Sequence, residues 1–380
     1  MGFTLSETTA SVAILGSTGS IGSALCNQLE SQRDRLIKEL GVDMRVSIAA
    51  CSSKMLVDAQ GLDIADEYCD PDMMDEKGED LDLDLITSEV QADVNPLRVI
   101  IDCTDSAKVA EYYEKWLGAG IHVISPSRQV AAGPIERYKR ACQLQKENSV
   151  YWQYESSVGS ALPILTTLQD LHDTGDKISV IRGSVSGTLA YVLSNLSETK
   201  SFSEAMMEAV DLGYSETDFR QDLSGDDTVR KVVILARELG MDISIEDVEV
   251  ESLIPQEMID KEYTGSKEEK AAQMLEDVKS IDASMLERFK AAEASDRALR
   301  YKFVINEETG KCKCGLQEVD RTDTLYRLKA NENLVAFETE RYQTSPLIVK
   351  GAAAGAELAA AGMFADLLRV TRAYQSQQNQ

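Results

Sequence analysis

Within Gly213–Lys231, GYSETDFRQDLSGDDTVRK, the carboxylates of Glu216, Asp218, Asp222, Asp226 and Asp227 precede Arg230 and Lys231. Val229, Val232, Val233 and Leu235 recur at helical spacing, and Ser224 is a candidate N-cap, so a helix is expected to begin near Gly225. Asp227 and Lys231 then stand at i and i+4, one turn apart on one face. An ammonium held against a carboxylate on a rigid helix, with Glu216 in the loop before it, is what a proton-transfer site needs. An ordinary solvated ion pair has the same spacing, so the surrounding elements must decide between the two.

The N-terminal half supplies one such element. SVAIL (11–15) is an apolar run that reads as a buried strand, Gly16-Ser-Thr-Gly-Ser-Ile-Gly22 follows, and ALCNQLESQRDRLIKEL is an amphipathic helix. Strand, glycine-rich turn and helix in this order cradle a pyrophosphate. Glycines let the backbone approach the phosphates, while the helix N-terminus offers free N–H groups and partial positive charge. Gly16, Thr18, Gly19, Ser20, Ile21 and Gly22 are therefore candidate cofactor-binding residues. A second strand (44–50) ends at Cys51-Ser52-Ser53-Lys54 with no acidic residue to hold a ribose 2′-OH. Two hydroxyls and a lysine there suit the 2′-phosphate of NADP, with NAD as the alternative cofactor; a polar surface turn is the competing reading. LRVIIDCTDS (97–106) and the strand leading to Ser125-Pro126-Ser127-Arg128 place Thr104, Asp105, Ser106 and Arg128 at carboxyl ends of strands, the edge where open parallel sheets bind ligands.

Composition narrows the field. The 380 residues carry 39 Lys plus Arg against 65 Asp plus Glu, a formal charge of −26. Nucleic acid and anionic membranes, which need clustered basic charge, are not expected partners; a small-molecule substrate is. Seven scattered cysteines include no C-x-x-C pair, so reduced thiols in a reducing compartment are expected. No signal peptide or membrane-length apolar span is present, which predicts a cytoplasmic protein, or one in an organelle stroma if a targeting segment has been removed. The carboxylate-rich stretch 58–84 lacks the EF-hand pattern and reads as a solvated excursion.

The C-terminal half holds further helices, a long charged helical segment at 266–298, and strands expected at 300–305, 311–319, 325–328 and 334–338, whose alternation suits an antiparallel sheet with one wet face. The fold class expected is α/β: a Rossmann-type doubly wound parallel sheet plus an α+β catalytic and dimerisation domain, with a C-terminal helix returning to the first. The boundaries expected are 1–155 for NADP binding, 156–345 for catalysis and dimerisation, and 346–380 packing back on the first domain.

The motifs VIIDCTDS, GIHVISPSRQ, YESSVGSALP, GSVSGTLAY, FSEA, GYSETDFRQDLSGDDTVRKVVILARE, SPLIVKGAAAG and AAGMFADLLR span nearly the whole chain. Together they resemble homoserine dehydrogenase, above all the dehydrogenase half of bifunctional aspartate kinase–homoserine dehydrogenases. The resemblance implies reversible NAD(P)H-dependent reduction of aspartate 4-semialdehyde to homoserine, on the route to threonine and methionine, by a homodimer. It assigns Lys231 as the proton donor and acceptor and Asp227 as the carboxylate that orients it. Glu216 is assigned to the substrate amino group, with Asp222 and Arg128 also on the substrate side and Gly355 on the cofactor side. Glu155, Val158, Ser160 and Leu162 resemble the family's monovalent-cation (Na or K) site. The chain departs from the family in reading Ser125-Pro126-Ser127-Arg128 where T-P-N-K or T-A-N-K is usual, Glu216-Thr-Asp-Phe219 for E-P-D-P, Val158-Gly-Ser-Ala-Leu-Pro163 for V-G-A-G-L-P and Gly351-Ala-Ala-Ala-Gly355 for G-x-G-A-G. These departures set beside the first reading a diverged paralogue acting on a related semialdehyde or small hydroxy amino acid, and a catalytically weak cofactor-binding subunit.

Overall fold

The computed structural model describes residues 8–62, 68–215 and 218–378. The chain divides into two compact units, one of Met1–Ala161 with Ala356–Gln380 and one of Leu162–Gly355.

The first unit is built on seven strands: β1 (Thr8–Leu15), β2 (Val42–Ala50), β3 (Lys54–Val57), β4 (Glu79–Asp80), β5 (Leu97–Asp102), β6 (His122–Ile124) and β7 (Trp152–Gln153). They lie in the order β4-β3-β2-β1-β5-β6-β7. β2, β1, β5, β6 and β7 are parallel, and the short β3 and β4 turn back antiparallel at the edge. Val12, Ala13 and Ile14 in β1, and Val99, Ile100 and Ile101 in β5, are buried without alternation, as expected of strands covered on both faces. The order reverses between β1 and β5, so the crevice outside their carboxyl ends is the topological switch point of the sheet. The C-terminal helix Ala356–Gln378 lies on the Ser20–Arg35 helix and sends Met363 and Leu367 into the same core. Gly362 allows the close approach: a Cβ there would stand 2.2 Å from Ser156 Oγ.

The second unit carries β8 (Ile178–Ser184), β9 (Val248–Val250), β10 (Ala298–Asn306), β11 (Lys311–Val319), β12 (Glu332–Thr339) and β13 (Leu347–Ala352), in the order β13-β12-β8-β10-β11-β9. All neighbours are antiparallel except β11 and β9. Two expectations are corrected here. Residues 325–328 form no strand; their carbonyls turn inward onto the buried Arg300, whose guanidinium donates to Leu325, Tyr326 and Leu328. The helical segment at 266–298 is two helices, Lys267–Val278 and Asp282–Ala294, joined by a 3₁₀ turn. The two compact units meet at 161/162 and 355/356, near the expected 155/156 and 345/346. The bend after Tyr154 is fastened to the C-terminal helix by Ser156 Oγ–Ala359 O and Glu155 N–Asp366 Oδ2, whereas β13 hydrogen-bonds along β12. No described helix is long and apolar enough to cross a membrane.

Candidate active site

The helix that carries Lys231 runs Asp226–Glu238 and buries Val229, Val232, Val233 and Leu235. Ser224 is not its N-cap residue. It ends the preceding short helix Arg220–Ser224, and Gly225 makes the junction at φ +89°, where a Cβ would come 2.2 Å from Tyr301 Oη. Ser224 Oγ still accepts the Asp226 N–H at 3.3 Å. Asp226 and Asp227 occupy the first turn, where the helix dipole favours negative charge.

Lys231 Nζ lies 2.6 Å from Asp227 Oδ2 and donates to the Val185 carbonyl at 2.7 Å, with the two side chains only 12% and 15% exposed. This is not a solvated pair. Two fixed acceptors aim the ammonium, and removing one partner of such a pair strands a desolvated charge. Val185 directly follows β8, and the next residue, Ser186, caps the Gly187–Asn195 helix by accepting the Leu189 N–H. Ser186 also donates to Asp222 Oδ1 at 3.4 Å, and Ser215 donates to Asp222 Oδ2 at 3.3 Å. Burial, then the negative charge of Asp227, pushes the Asp222 carboxyl up to about 6. Lys231, Asp227 and Asp222 thus converge as the sequence suggests. Ser186, Ser215 and the Val185 carbonyl were not expected; the signal available was a serine immediately before a helix in GSVSGTLAY. Glu216 lies outside the described residues.

In the first unit the glycine run has the shape a dinucleotide needs. Gly16 and Ser17 donate their N–H groups to the Ala50 carbonyl, fixing the turn to the end of β2. Gly16 sits at φ +80°, and a Cβ on Gly22 would come 2.1 Å from the Gly16 oxygen. The Ser20–Arg35 helix begins at Gly19 with no side-chain cap and no acid in its first turn, which leaves the N–H groups of Ser20, Ile21 and Gly22 for an anion. These residues fit a pyrophosphate; Thr18 lies within the same turn. Ser52 and Ser53 are exposed in the turn after β2, and Lys54 opens β3 with its ammonium 2.9 Å from the exposed Asp80. Thr104 donates its N–H and hydroxyl to Asp102, Ser106 caps a short helix, and Asp105 accepts from Ser127 Oγ at 3.3 Å. Arg128 Nη1 donates to the Ser157 carbonyl at 3.4 Å. Asp102 itself was missed, though a carboxylate closing the apolar run VIID was the available sign.

Among the proposed cation ligands, the Glu155 carbonyl accepts from Val158 N–H at 3.3 Å, and the Glu155 side chain is 3.6 Å from Arg369. Ser160 takes φ +55° beside Gly159 at +79°. In the second unit, the Leu162 carbonyl accepts the Ile164 N–H. No cluster of His, Cys, Asp and Glu fit for a metal exists among the described residues. Gly355 adopts φ +110°, with nothing within 4 Å of a Cβ.

Residues 163–368 match the homoserine dehydrogenase family, and residues 18–155 match the NAD-binding domain of homoserine dehydrogenase. Over 370 residues, 97% of its length, the chain is 38% identical to the chloroplastic bifunctional aspartokinase/homoserine dehydrogenase 1 of Zea mays, of which it spans only 39%. It is 34% identical over 278 residues to the homoserine dehydrogenase of Emericella nidulans, covering 72% of this chain and 75% of that protein. A Candida auris protein of unknown function shares the fold at a TM-score of 0.82 and 31% identity, over 96% of this chain and 98% of that one. A hyperthermophilic archaeal homoserine dehydrogenase in complex with NADPH aligns at a TM-score of 0.71 over 96% of this chain and 98% of that one; at 20% identity, that likeness concerns the fold alone.

Proposed function

The chain belongs to the homoserine dehydrogenase family, and we propose that it interconverts aspartate 4-semialdehyde and homoserine with NADP as the hydride carrier. The observation that carries this reading is the Lys231 ammonium, fixed between Asp227 Oδ2 and the Val185 carbonyl at the head of a rigid helix. A nicotinamide dinucleotide, when bound, supplies the hydride in reduction and accepts it in oxidation. The glycine run and the N-terminus of the Ser20–Arg35 helix would hold its pyrophosphate, and Ser52, Ser53 and Lys54 would take the 2′-phosphate.

An aldehyde carbon that gains hydride leaves an alkoxide. Lys231 stabilises that charge and gives its proton to the oxygen, then recovers a proton from solvent; oxidation runs the same path backwards. Asp227 and Val185 keep the ammonium from swinging away, so its donor direction is set before the reaction begins. Glu216 receives the substrate ammonium, and Asp222 lines the polar side of the pocket. Arg128 holds a substrate carboxylate or carbonyl oxygen in the fork of its guanidinium, a group built to bind oxygens rather than to pass protons. The Glu155–Leu162 bend takes a monovalent cation that stiffens it, and the protein works as a homodimer.

Purified protein mixed with NADPH and aspartate 4-semialdehyde should consume the cofactor. Consumption only with a different aldehyde would move the assignment to a paralogue, and cofactor binding without turnover would leave a binding subunit. Arg128→Lys should preserve or raise the rate; complete loss of activity in that variant would show a substrate site rebuilt around arginine.

A further inference from the structure

Asp102 closes β5 and is fully buried. Its Oδ1 accepts both the Thr104 N–H at 2.8 Å and the Thr104 hydroxyl at 2.6 Å, and its Oδ2 accepts the Tyr113 hydroxyl at 2.6 Å. Its main-chain oxygen accepts the Ser125 hydroxyl at 2.8 Å. Burial pushes this carboxyl up to about 6, so the sheet holds it against a desolvation penalty that one main-chain and two side-chain donors offset.

The bonds continue outward from both ends. Thr104 Oγ1 accepts the Ser106 N–H at 3.2 Å, and Thr104 Cγ2 lies 3.0 Å from where a Cβ on Gly16 would stand. Ser125 Oγ accepts the Ser127 N–H at 3.0 Å, and Ser127 Oγ reaches Asp105 at 3.3 Å. The loops after β5 and β6, both at the carboxyl edge of the sheet, are therefore fastened to one residue, and through the Thr104 methyl that residue sets what packs beside Gly16 in the loop after β1. None of these bonds involves the proton-transfer cluster of the second unit.

We infer that Asp102 is a positioning residue for the dinucleotide, its side-chain oxygen holding Thr104 against the glycine run so that the crevice keeps the width the cofactor needs. The inference rests on the nicotinamide reading above. What matters is an acceptor at Oδ1, not the charge. Asp102→Asn keeps that acceptor and turns an amide N–H toward the Tyr113 oxygen, whereas Asp102→Ala strands both donors of Thr104 and that of Tyr113.

The test is NADPH affinity, read from cofactor fluorescence, together with kcat at saturating cofactor and a melting curve for each variant. Asp102→Ala should raise the NADPH Kd by about tenfold or more, with kcat at saturation within about threefold of the parent. Asp102→Asn should restore the Kd to within about threefold. Thr104→Val, which keeps the methyl and loses the hydroxyl, should move the Kd in the same direction as Asp102→Ala by a smaller factor; it serves alone if the alanine variant does not fold. Parental affinity in Asp102→Ala or Thr104→Val overturns the inference, as does an Asp102→Asn variant as weak as the alanine one. A parent protein that fails to bind NADPH at all overturns the cofactor reading first and this inference with it.

Discussion

Lys231 is a cation with two fixed acceptors and little water around it, so its side chain is spent on direction rather than on stability. Lys231→Met keeps the stem that packs in the wall and loses the proton. Turnover should fall by about 10²–10⁴, with the NADPH Kd unchanged and the far-UV spectrum intact. Normal turnover in that variant would remove the proton-transfer role. Asp222 carries the pH dependence: burial, then the charge of Asp227, pushes its carboxyl up to about 6, so kcat/KM should decline as pH falls through that range. Asp222→Asn should abolish that acid limb while lowering the plateau, and a pH–rate profile with the limb unchanged would assign it elsewhere.

The glycine-rich turn was legible as an element because three glycines between an apolar strand and an amphipathic helix admit few backbones. Its test is steric. Gly22→Ala would drive a Cβ to 2.1 Å from the Gly16 oxygen, so NADPH binding should be lost and the melting temperature lowered. Gly310→Ala, at φ +66° with open space around it, should cost only about 1 kcal/mol of backbone strain and leave NADPH affinity alone. Equal effects from the two substitutions would contradict the cradle. The proton-transfer helix was legible from its apolar spacing, but its start was not, because Gly225 packs under Tyr301, a residue 76 positions later. The 325–328 segment misread as a strand for a related reason: Leu325, Tyr326 and Leu328 are residues that strands favour, yet the carbonyls answer to Arg300. Contacts that long in sequence leave no local trace.

Across the whole chain, the groups that titrate on folding pull in opposite directions. His122 is buried, accepts the Tyr151 N–H on Nδ1, and is held down to about 4. Between about 6.5 and 4 the unfolded chain takes up a proton there that the folded chain refuses, so this residue costs stability as pH falls, up to roughly 3 kcal/mol at the acid end. Asp102 and Asp222, raised to about 6, and Asp366, raised to about 7 chiefly by burial, hold protons that the unfolded chain has released. Their effect is to lower stability as pH rises from about 4 toward 7. His122→Gln keeps an acceptor for Tyr151 and removes the first term. Its melting temperature should gain on the parent as pH drops from 6.5 to 4, and a constant difference across that range would show that His122 is not buried neutral. The central claim for the molecule is that Lys231 delivers the proton when aspartate 4-semialdehyde is reduced by NADPH. Its most direct measurement is the steady-state rate of NADPH oxidation by the parent and by Lys231→Met, each saturated with both reactants. Rapid oxidation by the parent and a loss of about two or more orders of magnitude in the variant is the predicted result; equal rates would contradict it.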